Sequence, residues 1–158
     1  MIFREKYIEL YNKILKEFKI DINSYHGIKH WDRVSEIGRY LSKHSGADSE
    51  VVELFAYLHD SKRMSDHSDI LHGSRSAIFV TDLYNEGILE ITEKQFGKLV
   101  LACRHHSLTG YITEDEIVKT CLDSDRIDFW RFDIEPDIRM LYTDIAKEND
   151  TICKFRYR

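Results

Sequence analysis

VVELFAYLHDSKR, residues 51–63, is the stretch on which the fold turns. Val51, Val52, Phe55 and Leu58 recur at three- and four-residue spacing, the signature of a helix with one buried face. Asp48 or Ser49 is placed to cap it. The apolar run leads straight into His59 and Asp60. An imidazole and a carboxylate are costly to bury unless something pairs with them. A polar loop, SKRMSDHSD at 61–69, follows at once.

The same pattern repeats on either side. Phe3, Tyr7, Leu10, Ile14 and Phe18 predict an amphipathic helix over residues 3–19. Asp21, Asn23 and Ser24 break it. Val34, Ile37 and Leu41 form a stripe on a helix from Ile28, and steps of four carry that stripe back to His30 and His26. A helix from about His72 carries Ala77, Ile78, Val80 and Leu83, with Gly87 as its stop. Thr92 and Glu93 open another, whose Phe96, Leu99, Val100 and Cys103 lead to His105–His106; Gly110 ends that segment. Thr113 with Glu116 has capping-box spacing. The helix it opens carries Val118, Cys121 and Leu122 toward Asp125. A last helix is expected from Glu135 to about Lys147. No stretch shows convincing two-residue alternation. The reading is all-α: a single-domain helical bundle over 1–158, with about six to eight helices, a motif-bearing core at about 24–130 and a C-terminal helix at about 135–147.

Composition agrees. Of 158 residues, 42% are hydrophobic and 32% charged, with one proline and seven glycines, so long helices are unobstructed. A net charge of −5 argues against a nucleic-acid partner held through its phosphates. Three cysteines without CxxC spacing suit a reducing, cytoplasmic compartment. No apolar run approaches membrane-spanning length, and Arg4, Glu5 and Lys6 stand where a secretory signal would be apolar. A homodimer is left open.

His30, His59, His105 or His106, and Asp125 each continue or end the apolar face of a different expected helix. A divalent metal satisfies neutral imidazole and ionised carboxylate together and offsets their burial. The plainer alternatives are a hydrogen-bonded core histidine at position 30, a helix-terminal charge at 105–106, and a solvated acidic face at Asp123, Asp125 and Asp128. His44 and His67 read as surface residues.

Taken in order, HGIKHWDRV (26–34), LHDSKR (58–63), HGSRSA (72–77), ACRHHSLTG (102–110) and DSDRIDF (123–129) resemble the elements of the HD superfamily of metal-dependent phosphohydrolases. The resemblance implies a divalent metal (Mn, Fe, Co, Ni, Zn or Mg) held by His30, His59, Asp60 and Asp125, with Asp123 in reserve. It implies a second ion on His72, His105 and His106 with Asp60 bridging. Consecutive histidines diverge by about 100° on a helix, so both bind only if the helix ends or distorts there. Gly110–Tyr111 continues with Ile112, not proline, so the cyclic-dinucleotide specificity of some relatives does not carry over.

The implied chemistry is metal-assisted hydrolysis of a small phosphorylated substrate such as a nucleotide, with one or two ions and with Asp60 at the reacting centre. Lys62, Arg63, Arg75 and Arg126 are candidates for substrate charge. Asp66 and Asp69 are candidate proton carriers. His26 is placed to orient a phosphate, touch a metal or cap its helix. The competing readings are an HD-fold di-iron oxygenase and a non-catalytic metal- or nucleotide-binding domain.

Overall fold

A computed structural model describes residues 3–156, and among these there are helices and no strands. The α-helices are α1 (Phe3–Lys6), α2 (Ile8–Glu17), α3 (Ile28–Ser45), α4 (Ser49–Leu58), α5 (His72–Asn85), α6 (Glu93–His105), α7 (Glu116–Ile127), α8 (Asp144–Lys147) and α9 (Asn149–Lys154). Two 3-10 helices, Asp128–Phe132 and Ile138–Met140, lie between α7 and α8. No helix among the described residues is long and apolar enough to cross a membrane.

Helix α3 packs against α4 and α7, and α5 lies along α6, which in turn meets α4. The faces brought together are those the spacing indicates. Leu10, Ile14, Trp31, Val34, Phe55 and Leu58 belong to one buried cluster that also takes in residues of α5, α6 and α7. A smaller cluster joins Ile37, Leu41 and Ile127 to Leu141, Ala146 and Ile152 near the C-terminus. Two glycines set the closest helix approaches. A Cβ on Gly38 would stand 2.5 Å from Val52 Cγ1, and one on Gly73 would stand 2.9 Å from the carbonyl oxygens of both Cys103 and Arg104. The second contact seats the start of α5 against the end of α6, where His72 and His106 lie.

The caps show where local chemistry decides the boundaries. Asp48 caps α4, accepting from Glu50 N and Val51 N. Thr92 and Gln95 form a full capping box at α6. The expected Thr113–Glu116 box does not form. Asp115 caps α7 instead, accepting from Ile117 N and Val118 N at 3.1 Å each, while Thr113 Oγ1 accepts from Asp115 N. A carboxylate there also meets the positive end of the helix dipole.

Two expected helices differ from the fold. Residues 3–19 kink at Tyr7, whose φ is −124°, although main-chain bonds Tyr7 N to Phe3 O and Tyr11 N to Tyr7 O continue through it. The expected 135–147 helix is replaced by a 3-10 turn and the short α8. Pro136 disfavours helix at Glu135. The carboxylate of Asp123 then takes the Tyr142 and Thr143 amides at 2.8 Å each, so those donors cannot serve a continuous ladder; the helix restarts with Thr143 as its cap. Asp123 and Asp128 are fully buried, which corrects the solvated-face alternative for both.

Candidate metal centre

Five segments meet at one polar pocket in the apolar core. His30 sits in the first turn of α3, His59 and Asp60 follow the end of α4, His72 begins α5, His106 caps α6 and Asp125 lies in the last turn of α7. All six side chains are buried.

Each imidazole is oriented through Nδ1. His59 Nδ1 donates to the carbonyls of Phe55 and Ala56, His106 Nδ1 to that of Cys103, and His72 Nδ1 to that of Asp69. His30 Nδ1 donates to the Asp128 carboxylate at 2.7 Å. Carbonyl and carboxylate oxygens only accept, so Nδ1 carries the proton in all four rings and Nε2 is turned inward. The Nε2 atoms then face one another in pairs: His30 and His59 at 3.1 Å, His72 and His106 at 2.8 Å.

Asp60 stands between the pairs. Its Oδ2 is 3.6 Å from both His30 Nε2 and His59 Nε2, and its Oδ1 is 3.3 Å from His72 Nε2 and 3.4 Å from His106 Nε2. Asp125 Oδ1 completes the first group, 3.3 Å from His30 Nε2 and 3.8 Å from His59 Nε2. His30, His59 and Asp125, and likewise His59, Asp60 and His106, bring ligand atoms close enough to share an ion. The donor set, neutral imidazole with ionised carboxylate, fits a divalent transition metal.

The electrostatics describe the same place without an ion. Burial lowers the pKa of His59 to about 3. Burial, with His106 beside it, lowers His72. Burial and Arg131 push His30 down too, but Asp125 and Asp128 outweigh them and its pKa is raised. In His106, hydrogen bonding to Asp60 likewise overcomes burial. Each pair therefore has one imidazole whose pKa is raised and one whose pKa is lowered. Asp60 and Asp125 are driven below the usual carboxylate range by the surrounding imidazoles, against the effect of burial.

The other expected site residues fall into two groups. His26, Arg63 and Arg126 line a cavity of about 410 Å³ that opens over Asp60, His72, His106 and Asp125. His26 Nδ1 donates to Asp66 at 2.6 Å. Arg63 Nη1 lies 3.5 Å from Asp60 Oδ1. Arg126 spends its donors on the carbonyls of Met140 and Leu108. Lys62 pairs with Glu17 at 2.8 Å, and Arg75 with Asp69 at 2.5 Å; none of Lys62, Arg75 or Asp69 lines that cavity. His105 does not join the cluster. His106 keeps helical dihedrals, so the ring before it points elsewhere and stacks on Tyr111 at 4.2 Å. Asp123 is held by Tyr142 and Thr143, and burial raises its pKa to about 6.

Sequence reasoning missed two residues. Asp128 orients His30 and receives Arg33 Nε at 3.0 Å. Arg131 lies beside Asp125, with Nη1 4.0 Å from Oδ1. The signal was the three-residue spacing of Asp125, Asp128 and Arg131, which puts them on one side of a helical turn.

No family model matches the chain, and no curated protein sequence does. Among solved structures, the chain is similar to a predicted HD superfamily hydrolase from an uncultured Thermotogales bacterium, with a TM-score of 0.68 and 22% identity over 93% of this chain and 83% of that one. The likeness spans nearly the whole chain, and this chain has the HD-domain fold.

Proposed function

We propose that this chain is a metal-dependent phosphohydrolase acting on a small phosphate ester, with two ions sharing Asp60. The observation that carries the reading is the two-sided Asp60 carboxylate, one oxygen turned to the His30–His59 pair and the other to His72–His106. Divalent ions in such a donor set supply Lewis-acid polarisation of a phosphoryl group and acidify water. His30, His59, Asp125 and one oxygen of Asp60 would hold the first; His72, His106 and the other oxygen would hold the second.

The chain's own residues do the remaining work. Asp128 fixes the His30 ring, and main-chain carbonyls fix the other three. Asp66 pins His26 Nδ1, which leaves Nε2 as the nitrogen available to a ligand in the cavity. With its proton on Nδ1, His26 is then placed to accept a proton at Nε2 from a group in the cavity, with Asp66 as its orienting partner. Asp69 instead clasps the loop through Arg75 and the Met64 amide.

The test is metal analysis of the purified protein, followed by phosphate release from a panel of esters with that metal. Two equivalents and turnover are expected. Iron with a charge-transfer band and oxygen consumption, without phosphate release, would favour an oxygenase. No turnover with any metal would leave a binding domain.

A further inference from the structure

The cavity above the metal centre has a composition that the phosphohydrolase reading alone does not explain. Leu108, Phe129, Phe132, Ile134 and Met140 form its wall. Four of these are well exposed: Leu108 at 44%, Phe129 at 40%, Phe132 at 37% and Ile134 at 55%. Apolar side chains gathered around a cleft and left uncovered mark a surface that a ligand covers.

The cations are the second observation. A site for a di- or triphosphate needs free positive charge along its length. Here Arg63 gives Nε to Ser65 O, Nη2 to His67 O and Nη1 to the Asp60 side. Arg126 gives both terminal nitrogens to main-chain carbonyls and lies 4.9 Å over the Tyr142 ring. Arg131 differs. Its side chain is only 8% exposed and lines the cavity, and although Nη1 stands 4.0 Å from Asp125 Oδ1 and 3.8 Å from Asp128 Oδ2, its buried Nε has no hydrogen-bond partner. Nη1 donates to Asp128 O, and the guanidinium lies 4.3 Å over the Phe132 ring. On the exposed side the lining carries carboxylates, Glu135 and Asp137; Arg139, which holds Asp137, does not line the cavity.

We infer that the cavity selects a phosphomonoester with a flat, apolar body, its single phosphoryl group beside Arg131 and its body against Phe129, Phe132 and Ile134. The inference rests on the phosphohydrolase reading for its phosphoryl end and on the cavity for its body. A second phosphate would lie against apolar side chains or face Glu135, and among the described lining residues Arg63 and Arg126 already spend donors on the protein. An aryl ring and a nucleobase share the required chemistry, and a volume of about 410 Å³ places the cavity toward the small end of ligand sites.

The test uses hydrolysis-proof ligands first. Phenylphosphonate and methylphosphonate are titrated calorimetrically into the metal-loaded protein; covering one ring's worth of apolar surface should make the phenyl ligand bind about tenfold tighter or more. Phe132→Ala and Ile134→Asp should shrink that ratio to about threefold or less, while Arg131→Gln should weaken both ligands and keep the ratio. Turnover of 1-naphthyl phosphate and AMP is then compared with ADP and ATP. Monoesters should have the higher kcat/KM, and the better of the two identifies the body as aryl or nucleobase. Equal binding of the two phosphonates, or ATP preferred to AMP, would overturn the inference and leave hydrolysis standing. Selective phenylphosphonate binding without phosphate release from any ester would sink the hydrolase reading and support the cavity assignment.

Discussion

Replacing Asp60 with Asn is the most informative single change. The side chain keeps its shape but loses the charge that faces both histidine pairs, with oxygens 3.3–3.6 Å from four Nε2 atoms. An amide offers one oxygen, so one histidine pair keeps only a neutral carbonyl oxygen from this residue and the other faces its N–H donors. Even residues that merely orient a ligand typically change metal affinity by about 10–100-fold. Loss of a shared ligand should exceed about 100-fold at both positions. In the parent protein, metal at about 100 times its Kd adds about 2.7 kcal/mol to stability for each ion bound. For a domain of this size that is a rise in Tm of roughly 5–10 °C. Thermal unfolding followed by circular dichroism, with and without metal, should show that rise in the parent and almost none in Asp60→Asn. Metal content after gel filtration should fall in parallel. The helical signal should persist, because the apolar clusters do not include Asp60. A variant that keeps both its metal and its thermal shift would refute the bridging role.

Other outcomes follow from the same geometry. His72→Ala or His106→Ala should lose about one equivalent of metal by elemental analysis, whereas His105→Ala, stacked on Tyr111, should lose none. Because neighbouring carboxylates raise the pKa values of His30 and His106 in the metal-free protein, a metal at their Nε2 atoms competes with a second proton; affinity should fall as pH falls, with proton release to an indicator dye on metal uptake, and pH-independent affinity would contradict this. Gly73→Ala places a methyl 2.9 Å from two carbonyl oxygens, so α5 must shift from α6 at a cost of about 1–3 kcal/mol in chemical denaturation, with weakening confined to the His72–His106 ion. For Asp123, whose folded pKa is raised from 3.8 to about 6, protonation favours the fold: its contribution is full below the unfolded value and lost as pH rises through about 6. The stability of the parent relative to Asp123→Asn should therefore fall by up to ~3 kcal/mol between pH 4 and pH 7, and a gap that grows with pH would mean the Tyr142 and Thr143 donors outweigh burial.

Much of this was legible in the chain because each site residue lies at the end of an apolar stripe. His30 shares a face with Val34, Ile37 and Leu41, and helical phase favours Asp125 over Asp123. What phase alone left open was decided by a single residue's dihedrals: His106 stays helical, three residues past buried Cys103, so its ring turns inward and that of His105 does not. The 135–147 segment was illegible for a different reason. Its conformation depends on Asp123, which is distant in sequence, and no local pattern announces that a carboxylate will claim the Tyr142 and Thr143 amides. Nothing local marks Asp128 as a ligand-orienting residue, because its partner, His30, is 98 residues away.

That distinction between local and distant support bears on how the two ion positions form. His59, His72 and His106 are oriented by carbonyls three or four residues away, within the turns that carry them. Once α5 seats on α6 through Gly73, the His72–His106 pair is in place. The first position has no such independence. His30 is oriented by Asp128, and Asp125 arrives on α7, so this group is complete only when α7 and the 3-10 turn after it dock on α3. The same docking brings Arg131, which lies beside Asp125 on that segment, to the centre and Phe129 and Phe132 to the cavity wall. The turn at Asp128–Phe132 therefore couples three things: the orientation of one metal ligand, the guanidinium beside the centre, and the apolar surface above it. A perturbation of that turn should lower affinity at the first position and loosen substrate selection together, while the His72–His106 position keeps its geometry.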